Sequence, residues 1–221
     1  MLGYHRTYSI TTNGTYELPL GANRRFLAAA PGFIQRFVER WQLGGIFSWT
    51  SGAPLNISAP ISTIWQTSTN MTPNIVGDFP KSIGEVTRLS NGVTYFPGLK
   101  QITDPGVDGV SPLNGFNGSF SNKAITDSLG KLLLMNPAPG QVGNLGIKWI
   151  EGPALLGLDI NLIKHLRITE TKDFEVRVDS INVLNHPNFG NPVVNINSTS
   201  FGRISTAGGN RRFVINARLN F

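Results

Sequence analysis

The side chains with the most obvious chemical potential are three histidines and a small group of carboxylates. His186 sits in the run Asn185-His-Pro-Asn-Phe-Gly-Asn-Pro192, which invites a metal or catalytic reading. His5 and His165 lie far from it in sequence, and no pair has the spacing that brings two ligands to one face of a strand or helix. The run is better explained as a turn. Asn bonds back to its own backbone and tolerates left-handed geometry, while Pro and Gly supply the corners. Asp159, Glu175 and Asp179 could form a carboxylate pair for hydrolysis, with one acid and one base. That chemistry needs an apolar pocket to keep one carboxyl protonated, and Arg177 stands between two of the three. A Gly-Xaa-Ser-Xaa-Gly elbow and a phosphate-cradling glycine loop are both missing. With no cysteine there is neither a disulfide framework nor a thiolate metal site. The expectation is therefore a non-enzymatic chain with no catalytic residue, no metal ligand and no cofactor site.

The elements that hold these residues explain them better. From Phe213 to Phe221 the residues Phe213, Ile215, Ala217, Leu219 and Phe221 share one face of a strand, opposite Asn216, Arg218 and Asn220. Only Val214 breaks the alternation. Phe174, Val176 and Val178 likewise oppose Glu175, Arg177 and Asp179. Three charges in a row rule out an apolar core on that side, because unpaired buried charges are costly. Leu156, Leu158, Ile160 and Leu162 oppose Asp159 and Asn161, and Thr169-Glu-Thr-Lys172 reads as the polar turn of a hairpin. Near the start, residues 8–18 and 41–49 alternate as well, with tyrosine and tryptophan near the strand ends. Such rings suit a membrane interface, being apolar with one polar atom. Between these strands Ile34, Phe37, Val38 and Trp41 recur at helical spacing, with Gln35, Arg36, Glu39 and Arg40 opposite. That pattern fits a short amphipathic helix, either at a membrane surface or docked on a sheet.

Composition narrows the class. Charged residues make up 14% and hydrophobic residues 40%. A soluble domain averages roughly 25% charged. The polar share falls instead to Asn, Ser, Thr and Gly, which suits a lipid-facing band outside and a neutral polar surface inside. No run of about 18 apolar residues could form a membrane helix, so any crossing must be made by strands of a closed barrel. The net charge of +6 is scattered apart from Arg24–Arg25 and Arg211–Arg212, so nucleic acid is not an expected partner. Residues 52–152 are rich in Gly, Pro, Asn, Ser and Thr without sustained period, which reads as a long extracellular loop. Sequons at Asn56, Asn70, Asn117 and Asn197 are expected by chance in so Asn- and Thr-rich a chain.

The residues so far resemble a known family. Phe174 to Pro192, Ser200-Phe-Gly-Arg-Ile204 and the closing strand to Phe221 resemble the C-terminal end of Oar-like TonB-dependent receptors. Tyr16-Glu-Leu-Pro-Leu-Gly21, Trp41-Gln-Leu-Gly-Gly45 and Gly140-Gln-Val-Gly-Asn144 resemble the same family. The resemblance implies a very large outer-membrane barrel, with an extension domain, a plug and an energy-coupling motif upstream. It also implies that barrel-assembly machinery reads the last strand through Phe213, Ile215, Ala217, Leu219 and Phe221.

The expected fold is all-β: an antiparallel meander forming the C-terminal fragment of a large transmembrane barrel with long extracellular loops. Strands are expected near 4–18, 41–51, 155–167, 172–184 and 211–221. Asp159, Asn161, Glu175, Arg177, Asp179, Asn216 and Arg218 are expected to face the lumen. Expected partners are outer-membrane lipid, the barrel-assembly machinery, and further strands and a plug from an upstream segment. Met1 to Arg6 has no apolar signal region, so the chain is expected to begin inside a longer precursor or not to be exported. Five strands cannot close a barrel that needs about eight. Counting back from a periplasmic end to the last strand puts the Thr169–Lys172 turn in the periplasm and residues 51–152 and 185–210 outside; residues 21–40 are long for a periplasmic turn. The competing readings are a soluble β-sandwich binding carbohydrate through its loops, and a small hydrolase using Asp159, Glu175 or Asp179.

Overall fold

Alternating apolar and polar residues over nine or more positions extend the chain into strands, and five such stretches pair into one sheet. The structure, a computed structural model, describes residues 3–29, 31–60, 71–106, 123–138, 141–169 and 171–221. The chain divides into two compact units. One, the sheet unit, comprises Ser9–Thr50, Leu155–Asn188 and Gly208–Phe221. The other, the loop unit, comprises Met1–Tyr8, Ser51–Ala154 and Phe189–Ala207.

The sheet unit is built on β1 (Ser9–Glu17) and β2 (Trp41–Thr50), with helix α1 (Gly32–Val38) between them. The strands β3 (Pro54–Leu55), β4 (Asn74–Ile75), β5 (Thr87–Leu89), β6 (Gly92–Thr94), β7 (Lys100–Thr103), β8 (Lys123–Thr126), β9 (Leu132–Met135) and β10 (Ile150–Glu151) follow in the loop unit. The sheet resumes with β11 (Leu155–Arg167) and β12 (Asp173–Ile181). Short strands β13 (Asn188–Phe189), β14 (Arg203–Ile204) and β15 (Ala207–Gly208) precede the last long strand, β16 (Arg212–Asn220).

The five long strands run in the order β1-β2-β11-β12-β16, every neighbouring pair antiparallel. The fold class is thus all-β and antiparallel, as expected, and the sheet is open, with β1 and β16 at its edges. Strand lengths of 9 to 13 residues reach or exceed the ~9–11 that a tilted strand needs to cross a bilayer. The hairpin between β11 and β12 closes through the Ile168 and Thr169 amides, which donate to the Lys172 carbonyl at 3.0 and 3.1 Å. Glu170 of that turn lies outside the described residues, as do Gly140, Asn70 and Asn117.

Helix α1 stops at Val38 and does not run on to Trp41, which already belongs to β2. Arg40 takes a left-handed conformation, φ 61°, that turns the chain from helix to strand. None of the helical residues is buried.

The loop unit departs from the expectation of a long loop without structure. Ile57, Phe79, Tyr95, Phe96, Ile125, Leu133, Leu134, Leu145, Ile150, Ile196 and Ile204 form a buried hydrophobic core, each no more than 5% exposed. Around it lie a four-stranded sheet, β4-β9-β8-β7, a three-stranded sheet, β14-β6-β5, and the pair β10-β3. The strands are two to four residues long, too short to print a period on the sequence. Tight approaches reinforce the packing: a Cβ on Gly52 would overlap the carbonyl of Gly152.

Candidate functional site

In an antiparallel pair, directly opposed residues point to the same side, so the register sorts the side chains of the sheet unit into two faces. One row runs Tyr16, Leu43, Leu162, Val178, Ile215 across all five strands. The parallel rows hold Phe47 with Leu158, Trp49 with Leu156, Leu166 with Phe174 and Leu219, and Val176 with Ala217. This face is apolar and largely uncovered: Tyr16, Leu43, Phe47, Phe213, Ile215 and Leu219 are all exposed. Every member of the buried core cluster belongs to the loop unit. Of the five residues expected to form an assembly signal, Phe213, Ile215, Ala217 and Leu219 lie on the apolar face of the edge strand β16, and Phe221 follows the strand.

The opposite face carries all seven residues expected to line a lumen. Glu175 opposes Arg218, Arg177 opposes Asn216, and Asn161 opposes Asp179. Asp159 stands across from Ile46, in the same row. Arg177 Nε donates to Asp179 Oδ1 at 2.8 Å, and Asn216 Nδ2 donates to Asp179 Oδ2 at 3.3 Å. Asp159 Oδ1 accepts the Asn182 amide at 2.7 Å. A shallow cleft of about 270 Å³ brings Asp159, Asn161, Arg177 and Asp179 together with Ile46 and Val214. Val214, which breaks the alternation of β16, therefore belongs to a small apolar patch among polar groups. Facing glycines make room for polar side chains here. A Cβ on Gly44 would stand 2.7 Å from Asn161 Oδ1, so Asn161 can lie flat across β2.

Three further residues meet at this face, none of which the sequence placed there. Asp173 receives Arg40 Nη1 at 2.7 Å and lies 3.2 Å from His165 Nδ1. His165 also stands 3.9 Å from Glu175. Extending the alternation two residues back from Glu175 finds Asp173, and four on from Asn161 finds His165. Arg40 is visible only through the register. Lys164 is different, since it lies on the apolar face opposite Trp41 and Val176. Its ammonium donates to the Glu39 carbonyl and sits 5.5 Å from the Trp41 ring centroid. Lys164 is itself buried, so its charge is met by that carbonyl and that ring and not by water.

His186 sits in a turn. Asn182 and Asn185 adopt left-handed φ of 49° and 51°. Asn182 Nδ2 donates to the His186 carbonyl at 2.9 Å, and the His186 amide returns a bond to Asn182 Oδ1 at 3.2 Å. The turn is fixed by asparagine, with the histidine as a passenger.

The loop unit holds one buried polar cluster that sequence reasoning missed. Asp104 Oδ2 accepts from the Asn136 amide at 2.7 Å and from Asn136 Nδ2 at 2.8 Å. Asn197 Nδ2 donates to Asn136 Oδ1 at 2.7 Å, and Asn197 Oδ1 accepts the Lys123 amide at 2.9 Å. Gln101 Nε2 reaches the Ile196 and Ser198 carbonyls at 2.8 and 2.7 Å. These bonds tie the segment after β13 into the longer segment before β11. Tyr95 donates its hydroxyl to the Glu151 carbonyl at 2.7 Å. Burial, and then the Glu151 charge, push its pKa up to about 12.

The sheet unit thus has five antiparallel strands of membrane-crossing length, apolar on one side and polar on the other, and the loop unit has a buried core of its own. A family model described as outer membrane beta barrel domain matches residues 2–214. No curated protein matches the chain, and no solved structure does. A soluble carbohydrate-binding sandwich finds no support in these findings. The chain belongs to the outer membrane beta barrel domain family and is an outer-membrane β-barrel protein.

Proposed function

We propose that this chain supplies the C-terminal wall of a TonB-dependent, Oar-like transporter. The observation that carries the reading is the exposed apolar face of the five-stranded sheet, which has no protein core against it among the described residues. Lipid is the partner that covers such a face at no desolvation cost, leaving Asp159, Asn161, Glu175, Arg177, Asp179, Asn216 and Arg218 to water in a lumen. Further strands from an upstream segment extend the sheet at its open edges, and a plug from the same segment fills the lumen. The free edge of β16, with its apolar row, is the strand that the barrel-assembly machinery captures by strand addition. The role is transport and not catalysis: Asp179 is held by Arg177 and Asn216, and Asp159 by the Asn182 amide, so neither is poised as a free acid or base.

The resemblance at Asn185–Pro192 supports the transporter class, and the cargo is whatever the upstream plug admits. The test is energy coupling. The full-length protein, carrying single photocrosslinkers along its periplasmic N-terminal segment, should capture the inner-membrane energy transducer in living cells. An absence of capture, together with a permanently conducting pore in planar bilayers, would leave a barrel and remove the transporter.

A further inference from the structure

Twenty-three residues join β1 to β2, where a hairpin in a barrel needs only a few. This connection, residues 18–40, holds four arginines against one carboxylate, Glu39. It also exposes Phe26, Leu27, Phe33, Ile34 and Phe37; Phe33 is 75% accessible and packs edge-on against Phe37, centroids 5.6 Å apart. The segment is not a loose tail. Gln35 Nε2 donates to the Ala28 carbonyl at 2.9 Å, which ties the stretch before α1 onto the helix. Trp41 Nε1 donates to the Phe37 carbonyl at 2.9 Å, which ties the helix onto β2. Two of the arginines are engaged, Arg24 with Glu17 and Arg40 with Asp173. Among the described residues, Arg25 and Arg36 make no ion pair. The Arg25 guanidinium lies 5.7 Å from the Phe26 ring centroid, a cation held beside an apolar group.

We propose that this segment is a membrane anchor in its own right, seating on anionic phospholipid. Its aromatic side chains enter the acyl boundary, and Arg25 and Arg36 bind headgroup phosphates. Three observations favour this occupant over another protein. Aromatic and cationic residues alternate along the segment, Arg25 beside Phe26 and Arg36 beside Phe37, the composition an interface between hydrocarbon and phosphate demands. The segment leaves the sheet at the end where Tyr16 and Trp41 close the apolar face, so it continues a surface that already meets lipid. At that same end the Lys164 ammonium, on the apolar face of β11, donates to the Glu39 carbonyl, so the segment is held against that face. The proposal rests on the apolar face of the sheet lying in lipid, and its test contains a control for that.

The full-length protein is reconstituted in phosphatidylethanolamine vesicles containing either phosphatidylglycerol or phosphatidylcholine. A bimane label is placed at Phe33→Cys, and separately at Val176→Cys on the apolar face. Nitroxide lipids labelled high on the acyl chain should quench the Phe33 site far more than an aqueous quencher does. Arg25→Gln/Arg36→Gln should lower that quenching by about threefold or more in phosphatidylglycerol and little in phosphatidylcholine. Quenching at Phe33 from water alone, while Val176 still answers to lipid, would overturn the anchor and spare the barrel. Protection from both quenchers, with excimer emission from pyrene at Phe33, would assign the patch to a second copy and also overturn it. Loss of lipid quenching at Val176 would overturn both readings.

Discussion

Arg177 grips Asp179 along a single strand, Nε to Oδ1 at 2.8 Å, and the two are separated by Val178, which points the other way. If the apolar face lies in lipid as proposed, one residue of displacement in β12 would drive that ion pair into hydrocarbon and put Val178 in water.

Cysteine labelling in the full-length protein reads this directly. Glu175, Arg177, Asp179, Asn216 and Arg218 should react with a membrane-impermeant reagent. Phe174, Val176, Val178, Ile215 and Leu219 should be labelled only by a lipid-soluble one. Inversion of the two classes at any one strand would place its register wrong by one.

Two glycines should respond to a methyl group in different ways. Gly44→Ala meets only the end of the Asn161 side chain, which can swing aside, and Asn161→Ala should abolish whatever cost appears. Gly52→Ala meets the Gly152 backbone, so no side-chain change relieves it. Its cost should be about 3 kcal/mol, the upper range for overpacking. Urea titration with probes in each unit should show the first effect in the sheet unit and the second in the loop unit.

Alkaline pH should weaken the loop unit through Tyr95. The folded-state pKa, about 12, lies above the ordinary 10.0. Stabilisation is therefore complete below about pH 10 and disappears as pH rises through about 12, a loss on the order of 2 kcal/mol. Tyr95→Phe should flatten that pH window while costing about 1 kcal/mol at neutral pH, because the Glu151 carbonyl loses its donor. A denaturation midpoint that stays pH-dependent in Tyr95→Phe would assign the transition to another group.

Asn136→Leu should be among the most damaging single changes in the loop unit. It removes one donor to Asp104 and the acceptor for Asn197, leaving a buried carboxylate and a buried amide short of partners. A cost of about 3 kcal/mol or more is expected. Limited proteolysis of the reconstituted protein should then cut within the loop unit at native-like temperature, with the sheet unit still resistant.

The sheet was legible because β11, β12 and β16 repeat a two-residue period long enough to be seen, and their polar rows name the residues that share a face. His165 and Asp173 lay on the same rows and needed only that the period be carried further. Arg40 did not, since a left-handed residue at a helix-to-strand junction reaches Asp173 only through pairing between distant strands. The loop unit was illegible for a different reason. Its core joins residues such as Ile57, Leu134 and Ile196 from strands or turns too short to carry a period. Its polar centre, Asp104 with Asn136 and Asn197, consists of residues that in sequence look like ordinary turn formers.

The loop unit is also assembled from pieces of chain that are made far apart in time. Ile57 is followed by nearly a hundred residues before β11, and Ile196 and Ile204 arrive only after β12 is complete. Its last core residues therefore become available late, after the chain has crossed the sheet twice more. Contacts of such long sequence separation form slowly, because the loop must close before they contribute. Completion of this core therefore waits on residues that follow β12: a chain ending at β12 would lack Ile196 and Ile204 and should be cut by protease within the loop unit more readily than a finished one.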